Sequence, residues 1–94
     1  MRIIFHNDED ARFSADFHKQ WVSMHVVYFR WGIKKFRQYL RIFDLWVCRL
    51  REVGYKEVYA TPFERDTKAQ RMIALFGFKK LYSRNGHVVM QLKL

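Results

Sequence analysis

Residues 66–78 read Asp-Thr-Lys-Ala-Gln-Arg-Met-Ile-Ala-Leu-Phe-Gly-Phe, and this stretch predicts a helix over Asp66–Phe76. The Asp66 carboxylate can accept hydrogen bonds from the unpaired amides of the first turn. Gly77 is suited to end the helix, because glycine adopts the left-handed conformation at little cost. The apolar residues recur three or four positions apart and give the helix one core face. They are Ala69, Met72, Ile73 and Phe76.

The residues after Gly77 predict a β-hairpin. Two strands, Phe78–Ser83 and His87–Lys93, flank Asn85-Gly86, a dipeptide typical of tight hairpin turns. The second strand alternates apolar and other side chains, so one of its faces belongs to the core.

The residues before Asp66 predict a long helix and a strand. Ile33–Val53 carries an apolar seam with alternating spacings of four and three, and Gly54 stands where a helix-ending glycine is expected. Tyr55–Thr61 then predicts a strand, which Pro62 should end because proline cannot donate to a ladder.

The N-terminal third predicts a strand, a helix and a second strand. The strands are Met1–Phe5 and Met24–Phe29, and the helix is Asp8–Ser23. Acidic residues at 8–10 would favour the positive end of this helix. The spacing of Phe13, Phe17 and Trp21 by four predicts an aromatic helix face, which either joins the core or docks a partner chain.

Composition predicts one basic domain. A chain of 94 residues has room for one domain, and half of its residues are hydrophobic, which is enough for a packed core. Its net charge of +9 favours polyanion partners such as nucleic acid, acidic proteins or cofactor phosphates, with a solvated basic surface as the alternative. The chain shows no signal peptide and no membrane span, so we expect a cytoplasmic protein without a membrane partner.

Metal and thiol chemistry are not indicated. His6, His18, His25 and His87 lack the close spacing of metal ligands, so no metal site is predicted. Cys48 lies within the apolar seam of the long helix, where we expect a core cysteine rather than a nucleophile.

The C-terminal two thirds resemble a known family. From Ile33 the order helix, strand, helix, strand, strand is that of the C-terminal half of a GNAT-type N-acetyltransferase domain. This family usually has an Asn, an Ala three positions later and Gly-Phe eleven positions after the Asn; Asp66, Ala69 and Gly77-Phe78 stand at those spacings. The chain is most similar to small divergent GNAT-like proteins of tailed bacteriophages, whose basic helix start resembles residues 34–37.

This resemblance implies an α/β (α+β) fold, a truncated GNAT-like mixed sheet with helices and a C-terminal β-hairpin. Residues 1–94 would form a single GNAT-like domain, with a divergent N-terminal part over 1–31 and the GNAT-like C-terminal half over 32–94. It also implies cytoplasmic localisation in a host cell, or a place in the virion.

The resemblance implies acetyl-CoA as the cofactor, held by backbone amides at a helix N-terminus. The best match to the family's phosphate loop is residues 30–35, which contain one glycine where the family has two. The implied pyrophosphate residues are Arg30, Gly32, Ile33, Lys34, Lys35 and Arg37. The implied pantetheine wall is Tyr59, Ala60 and Thr61, and Asp66 takes the family's Asn position.

The catalytic residue is not identified. Many family members place a tyrosine four residues before the Gly-Phe, where it protonates the departing thiolate. That position is Ile73, which cannot donate a proton. Tyr82 and Tyr59 are the candidates to replace it.

Two functions follow from this pattern. One is a catalytically degenerate GNAT-like module, phage-encoded, that binds or inhibits a macromolecule through its basic face. The missing second glycine in residues 30–35 and the isoleucine at position 73 favour it. The other is an active acetyl-CoA-dependent N-acetyltransferase acting on an amine of a protein or small molecule. A protein partner or homodimer could complete the short domain in either case, and the basic face could contact nucleic acid or another polyanion.

Overall fold

The computed structural model describes residues 2–28 and 32–94, with the exception of the Ile33 side chain. In chain order the elements are β1 (Arg2–Asn7), β2 (Ala11–Phe17), β3 (Trp21–Tyr28), α1 (Ile33–Val53), β4 (Glu57–Ala60), α2 (Thr67–Leu75), β5 (Lys79–Arg84) and β6 (His87–Lys93). The strands of this described part form one six-stranded sheet in the order β1-β2-β3-β4-β6-β5. Every neighbouring pair is antiparallel except β3 and β4, which are parallel and joined by the crossover helix α1.

Both helices pack against the same face of this mixed sheet. Phe13 of β2, only 2% exposed, lies 5.2 Å from the Tyr39 ring of α1 and 6.1 Å from the Phe76 ring at the end of α2. Phe43 of α1 joins the two helices, since its ring lies 4.8 Å from that of Phe76. The fold is therefore α+β, as expected, with its core on one side of the sheet.

The other face of the sheet, called the open face below, is covered by neither helix in the described part of the chain. Cross-strand pairing places Arg2, Asp16, Ser23, Tyr59 and Gln91 on this face. His25 belongs to it too, two positions beyond Ser23 on the same strand. The open face is thus lined mainly by polar and titratable side chains.

The predicted helix over Asp8–Ser23 is wrong. The chain there forms β2, a turn at residues 18–20 and the start of β3. A spacing of four fits a strand as well as a helix, because four is a multiple of the strand period of two. Phe13 and Phe17 accordingly share the core side of β2, whereas Trp21 follows the turn and is 37% exposed on the open face.

The local predictions in the C-terminal two thirds are confirmed. Helix α1 has the predicted bounds, and Gly54 follows it with a left-handed φ of 107°. Asp66 caps α2, accepting a hydrogen bond from the Ala69 amide at 3.1 Å. Asn85 and Gly86 both have positive φ, as a tight turn between β5 and β6 requires.

The predicted core position of Cys48 is wrong. Its side chain is exposed, whereas Val47 and Leu50 on the neighbouring face of α1 are 5% and 4% exposed. The seam of α1 is thus narrower than its sequence indicates. In the described part, neither helix combines the length and the hydropathy that a bilayer-crossing helix needs.

Asp8 connects the turn between β1 and β2 to helix α1. Its carboxylate accepts hydrogen bonds from the Asp10 and Ala11 amides at 2.7 and 2.9 Å and from the buried Tyr39 hydroxyl at 3.1 Å. It also lies 2.7 Å from His6 Nε2. The hydrogen bond with His6 has the largest effect on the pKa of Asp8. Together with the amide and hydroxyl donors, it holds this pKa well below its ordinary value of 3.8. Burial, together with this carboxylate, raises the pKa of Tyr39 to about 12.

Asp8→Asn should lower the free energy of unfolding at pH 7 by about 1–3 kcal/mol, because buried donors lose a charged acceptor. A carboxyl group whose folded pKa is depressed contributes stability above its unfolded pKa and loses it as the pH falls. The difference between wild type and variant should therefore be full at neutral pH and shrink progressively below about pH 4. Urea unfolding from pH 7 to pH 3 measures this, with the exposed Asp44→Asn as control. A difference that stays constant with pH would contradict the role given to Asp8.

Candidate functional site

Strands β3 and β4 pair over only part of β3 and then separate. The ladder runs from Trp21 opposite Glu57 to Met24 opposite Ala60. Residues 25–28 of β3 continue to pair with β2, but none of them pairs with the chain that follows β4. A backbone edge of β3 is therefore left facing a gap in the sheet.

The chain after Ala60 is drawn away from β3 by the hairpin. The Val88 amide donates to the Pro62 carbonyl at 2.9 Å, and Phe63 forms an isolated antiparallel bridge with His87. Pro62 itself has no N–H with which to continue the ladder to β3. These contacts keep the two strands apart at their carboxyl ends.

The separated strands enclose a groove of about 490 Å³. One wall is the end of β3, residues 24–28, and the other is the segment 60–63. Asp66, Ala69 and Ile73 of α2 line it from the helix side, and Arg2 lines it from the open face. The groove thus reaches both faces of the sheet.

A hydrogen bond between Tyr28 of β3 and Asp66, the cap of α2, connects the two walls of the groove on the side of the sheet that faces the helices. The Tyr28 hydroxyl donates to Asp66 Oδ1 at 3.4 Å, and the same oxygen caps α2. Burial raises the pKa of Tyr28 above its usual range, and the nearby Asp66 carboxylate adds to this rise. Tyr28 therefore keeps its proton at neutral pH.

Helix α1 begins at Ile33, five residues after Tyr28. Gly32 precedes the helix in an extended conformation, and no acidic residue lies in the first turn. The first intrahelical bond runs from the Phe36 amide to the Gly32 carbonyl, so the amides of residues 33–35 have no acceptor within the helix. Such a helix end favours anions.

The predicted pyrophosphate residues differ in their surroundings. Arg30 lies outside the described residues, as does the side chain of Ile33, whereas Lys34 and Arg37 are exposed on α1. Lys35 is engaged elsewhere: its Nζ lies 3.1 Å from Asp10 Oδ2 and 3.9 Å from Asp8 Oδ2. The hydrogen bond to Asp10 is the main reason that the pKa of Lys35 is raised.

The other predicted site residues are only partly brought together. Ala60, Thr61 and Asp66 all line the groove. Tyr59 points to the open face, where its hydroxyl accepts a hydrogen bond from Gln91 Nε2 at 2.9 Å. Tyr82 is 51% exposed on the edge strand β5, and neither tyrosine is among the residues lining the groove.

Sequence reasoning missed three groove residues with useful chemistry, namely Arg2, His25 and Tyr28. All three lie in the N-terminal third, in segments predicted as strands, but the sequence does not show that these strands meet at one groove. The alternation of Val22, Met24 and Val26 with Ser23 and His25 is the signal that could have placed His25 opposite the core. Within residues 2–28 and 32–94, no group of His, Cys, Asp and Glu is arranged to hold a metal ion.

Comparison with known proteins identifies the fold. No family model matches the chain, and no curated protein matches it in sequence. Three solved structures are similar over about nine tenths of the chain. A domain from Methanocaldococcus jannaschii DSM 2661 has a TM-score of 0.69 at 15% identity, covering 90% of this chain and 56% of its own.

The other two structures are acetyltransferases by name. Ribosomal-protein-S5-alanine acetyltransferase from Vibrio fischeri gives a TM-score of 0.63 at 15% identity, with 89% and 54% of the two chains covered. A candidate acetyltransferase from Sphaerobacter thermophilus DSM 20745 gives 0.54 at 16% identity, with 90% and 61% covered. The chain has the fold of the GNAT-type acetyltransferases. It spans between 54% and 61% of the length of these structures.

Gly32→Ala should change the free energy of unfolding by less than about 0.5 kcal/mol. The Gly32 φ of −145° suits any residue, and an added Cβ would meet no atom within 4 Å. Gly77→Ala is the matched comparison, because it imposes a φ of +103° and brings a Cβ to 3.4 Å from Leu92 Cδ1; it should cost about 1 kcal/mol or more. Denaturant unfolding of both variants measures this. Equal losses would mean that the fold itself requires glycine at residue 32.

Proposed function

We propose that this chain binds acetyl-CoA in the groove between β3 and β4 and supplies the cofactor-binding part of an N-acetyltransferase. The observation that carries the proposal is the separation of the two parallel strands after Met24 and Ala60. It leaves a groove that passes through the sheet, and α1 is the element that follows β3 in the chain.

The residues present fit such a cofactor at both of its ends. The unpaired edge of residues 25–28 offers backbone groups to an amide-containing chain such as pantetheine. The first-turn amides of α1 have no acceptor within the helix and no acidic residue in their turn, and the exposed Lys34 and Arg37 add positive charge there. The absence of a side chain at Gly32 also leaves open space for a phosphate.

When bound, the cofactor supplies an activated acetyl group as a thioester. The protein's contribution is to position an amine against that thioester, which is worth several orders of magnitude in rate. Thr61 and Ala60 form one wall of the groove where this would occur, and Tyr28 with Asp66 forms the wall on the helix side. The amine would belong to a protein or a small molecule.

Two features favour the second function, a catalytically degenerate binding module. They are the exposed basic residues along α1 and the isoleucine at position 73. Ile73 lines the groove where the family commonly has its proton donor, and α2 contains no tyrosine. Lys34, Arg37 and Arg41 are exposed on α1 at helical spacings and form the basic stripe. A degenerate module would use this stripe to bind or inhibit a polyanionic macromolecule, with a protein partner or second copy completing it.

An origin in a bacteriophage, and with it a host-cell target or a place in the virion, stays a prediction from the sequence resemblance. Its support is the basic helix start at residues 34–37, all of which belong to α1.

Acetyl-CoA should bind the purified protein with a Kd on the order of micromolar at physiological salt. Thr61→Trp should weaken binding at least tenfold, because an indole would fill the groove from an exposed position. Thr67→Trp, exposed at the start of α2 but outside the groove lining, should bind like wild type. Calorimetry measures all three. Absence of binding, or binding that disappears between low and physiological salt, would reject the cofactor proposal.

The basic stripe should dominate binding to a single-stranded oligonucleotide. Replacing Lys34, Arg37 and Arg41 by Gln should reduce the slope of log affinity against log salt by about 2, since each phosphate contact contributes about 0.7. Fluorescence anisotropy over a salt series measures the slope.

The control for that experiment replaces Lys19, Lys56 and Lys93 by Gln, three exposed cations outside α1. It removes the same charge without touching the stripe. If both triple variants lose affinity equally, the net charge rather than the stripe causes binding, and the second function loses its support.

A further inference from the structure

His25 stands in the groove wall as part of a hydrogen-bonded cluster on the open face. Its Nε2 lies 2.9 Å from Asp16 Oδ2. Arg2 Nη2 lies 3.4 Å from the same Asp16 oxygen and 3.3 Å from His25 Nε2. The His25 side chain is 34% exposed, so it is held by its neighbours while remaining accessible from the groove.

The geometry assigns the proton on the imidazole. Nε2 is at hydrogen-bond distance from a carboxylate, which only accepts, so Nε2 carries the hydrogen and donates it. Arg2 can only donate, and it therefore bonds to Asp16 rather than to the protonated Nε2. Nδ1 is then the nitrogen of neutral His25 that has a free lone pair.

The other titratable side chains of the described groove lining are less suited than His25 to act as a base. They are Arg2, Tyr28 and Asp66. Arginine stays protonated, and the pKa of Tyr28 is raised. Asp66 is committed to the cap of α2 and to the Tyr28 hydroxyl. Histidine is the residue type that exchanges a proton near neutral pH.

We propose that His25, oriented by Asp16, is the general base that deprotonates the acceptor amine, which enters the groove from the open face. The proposal rests on the proposed acetyltransferase function and adds to it a base and a direction of approach. The acceptor is a primary amine that arrives as an ammonium group and must lose a proton before it can attack.

Nδ1 of His25 takes one proton from the ammonium group, and the freed nitrogen lone pair attacks the thioester carbonyl carbon. A C–N bond forms, the C–S bond breaks, and the sulfur leaves with the electron pair. The amide nitrogen gives up its second proton to solvent and the thiolate takes one from solvent, after which His25 releases its proton.

Asp16 acts as a positioning residue in this scheme. It touches neither the amine nor the thioester; it fixes which nitrogen of His25 carries the hydrogen. The charged and titratable groups around His25 are Asp16 and Arg12 from β2, Arg2 from β1 and Tyr59 from β4. The groove lining adds Tyr28, on the same strand as His25, and Asp66 on the helix side.

The first experiment measures thiol release from acetyl-CoA in the presence of a short unblocked peptide with an α-amine and a lysine. His25→Gln should lower kcat by about 100-fold or more, while the Kd for acetyl-CoA stays within about twofold. His18→Gln is the matched control: His18 is exposed in the turn between β2 and β3, stacked on Trp21, and should behave as wild type.

The second experiment reads the imidazole without turnover. Nitrogen-15 NMR should show His25 in the Nε2–H form in the wild-type protein and a mixture of both forms in Asp16→Asn. Adding acetyl-CoA should shift the His25 signals and leave those of His18 in place.

The outcomes separate the two proposals. If wild type does not bind acetyl-CoA, the proposed function fails and the assignment of His25 falls with it. If wild type binds and transfers acetyl groups, and His25→Gln does so at the same rate, only the assignment of His25 is overturned. Binding without transfer to either amine, or an Nδ1–H form in the wild-type spectrum, overturns it as well.

Discussion

The separation of β3 from β4 is the constraint on which the candidate site depends. Two parallel strands that paired over their full length would close the sheet and leave no groove. Pro62 cannot donate to β3, and the contacts of residues 62 and 63 with β6 hold the chain on the other side of the gap. The hairpin of β5 and β6 is therefore part of the site's construction, although it contributes no residue to the groove lining.

One-sided packing is the second determinant of the site. With α1 and α2 on the same face, the buried apolar side chains of the central strands point toward the helices, and polar side chains such as Ser23, Tyr59 and Gln91 lie on the open face. A groove through such a sheet has two chemically different mouths. Its helix side carries Tyr28, Asp66 and apolar residues of α2, and its open side carries Arg2 and His25. The two mouths of the groove therefore offer different chemical groups to a ligand.

The basic residues near the start of α1 have two kinds of surroundings: one is paired with acidic residues, and two are exposed to solvent. Lys35 is held by Asp10 and Asp8, which also anchor the turn between β1 and β2. Lys34 and Arg37, one residue before and two residues after it, are exposed. Because a helix presents neighbouring residues to different sides, adjacent cations can serve the fold and a ligand separately.

The sequence by itself determined the elements whose signals are local. The bounds of α1, the Asp66 cap, the left-handed Gly54 and the Asn85-Gly86 turn each depend on residues within one turn of the chain, and each was predicted correctly. Only the tertiary structure decided that residues 11–17 and 21–23 belong to strands rather than to a helix, because aromatic spacing by four fits both periods and strand pairing is settled by distant partners. Only the tertiary structure shows that Cys48 is exposed. Only the tertiary structure shows that Arg2, Asp16 and His25, from three strands, lie within hydrogen-bond distance of one another. Such a cluster has no sequence signal, since its members meet only when register fixes which side chains lie opposite one another.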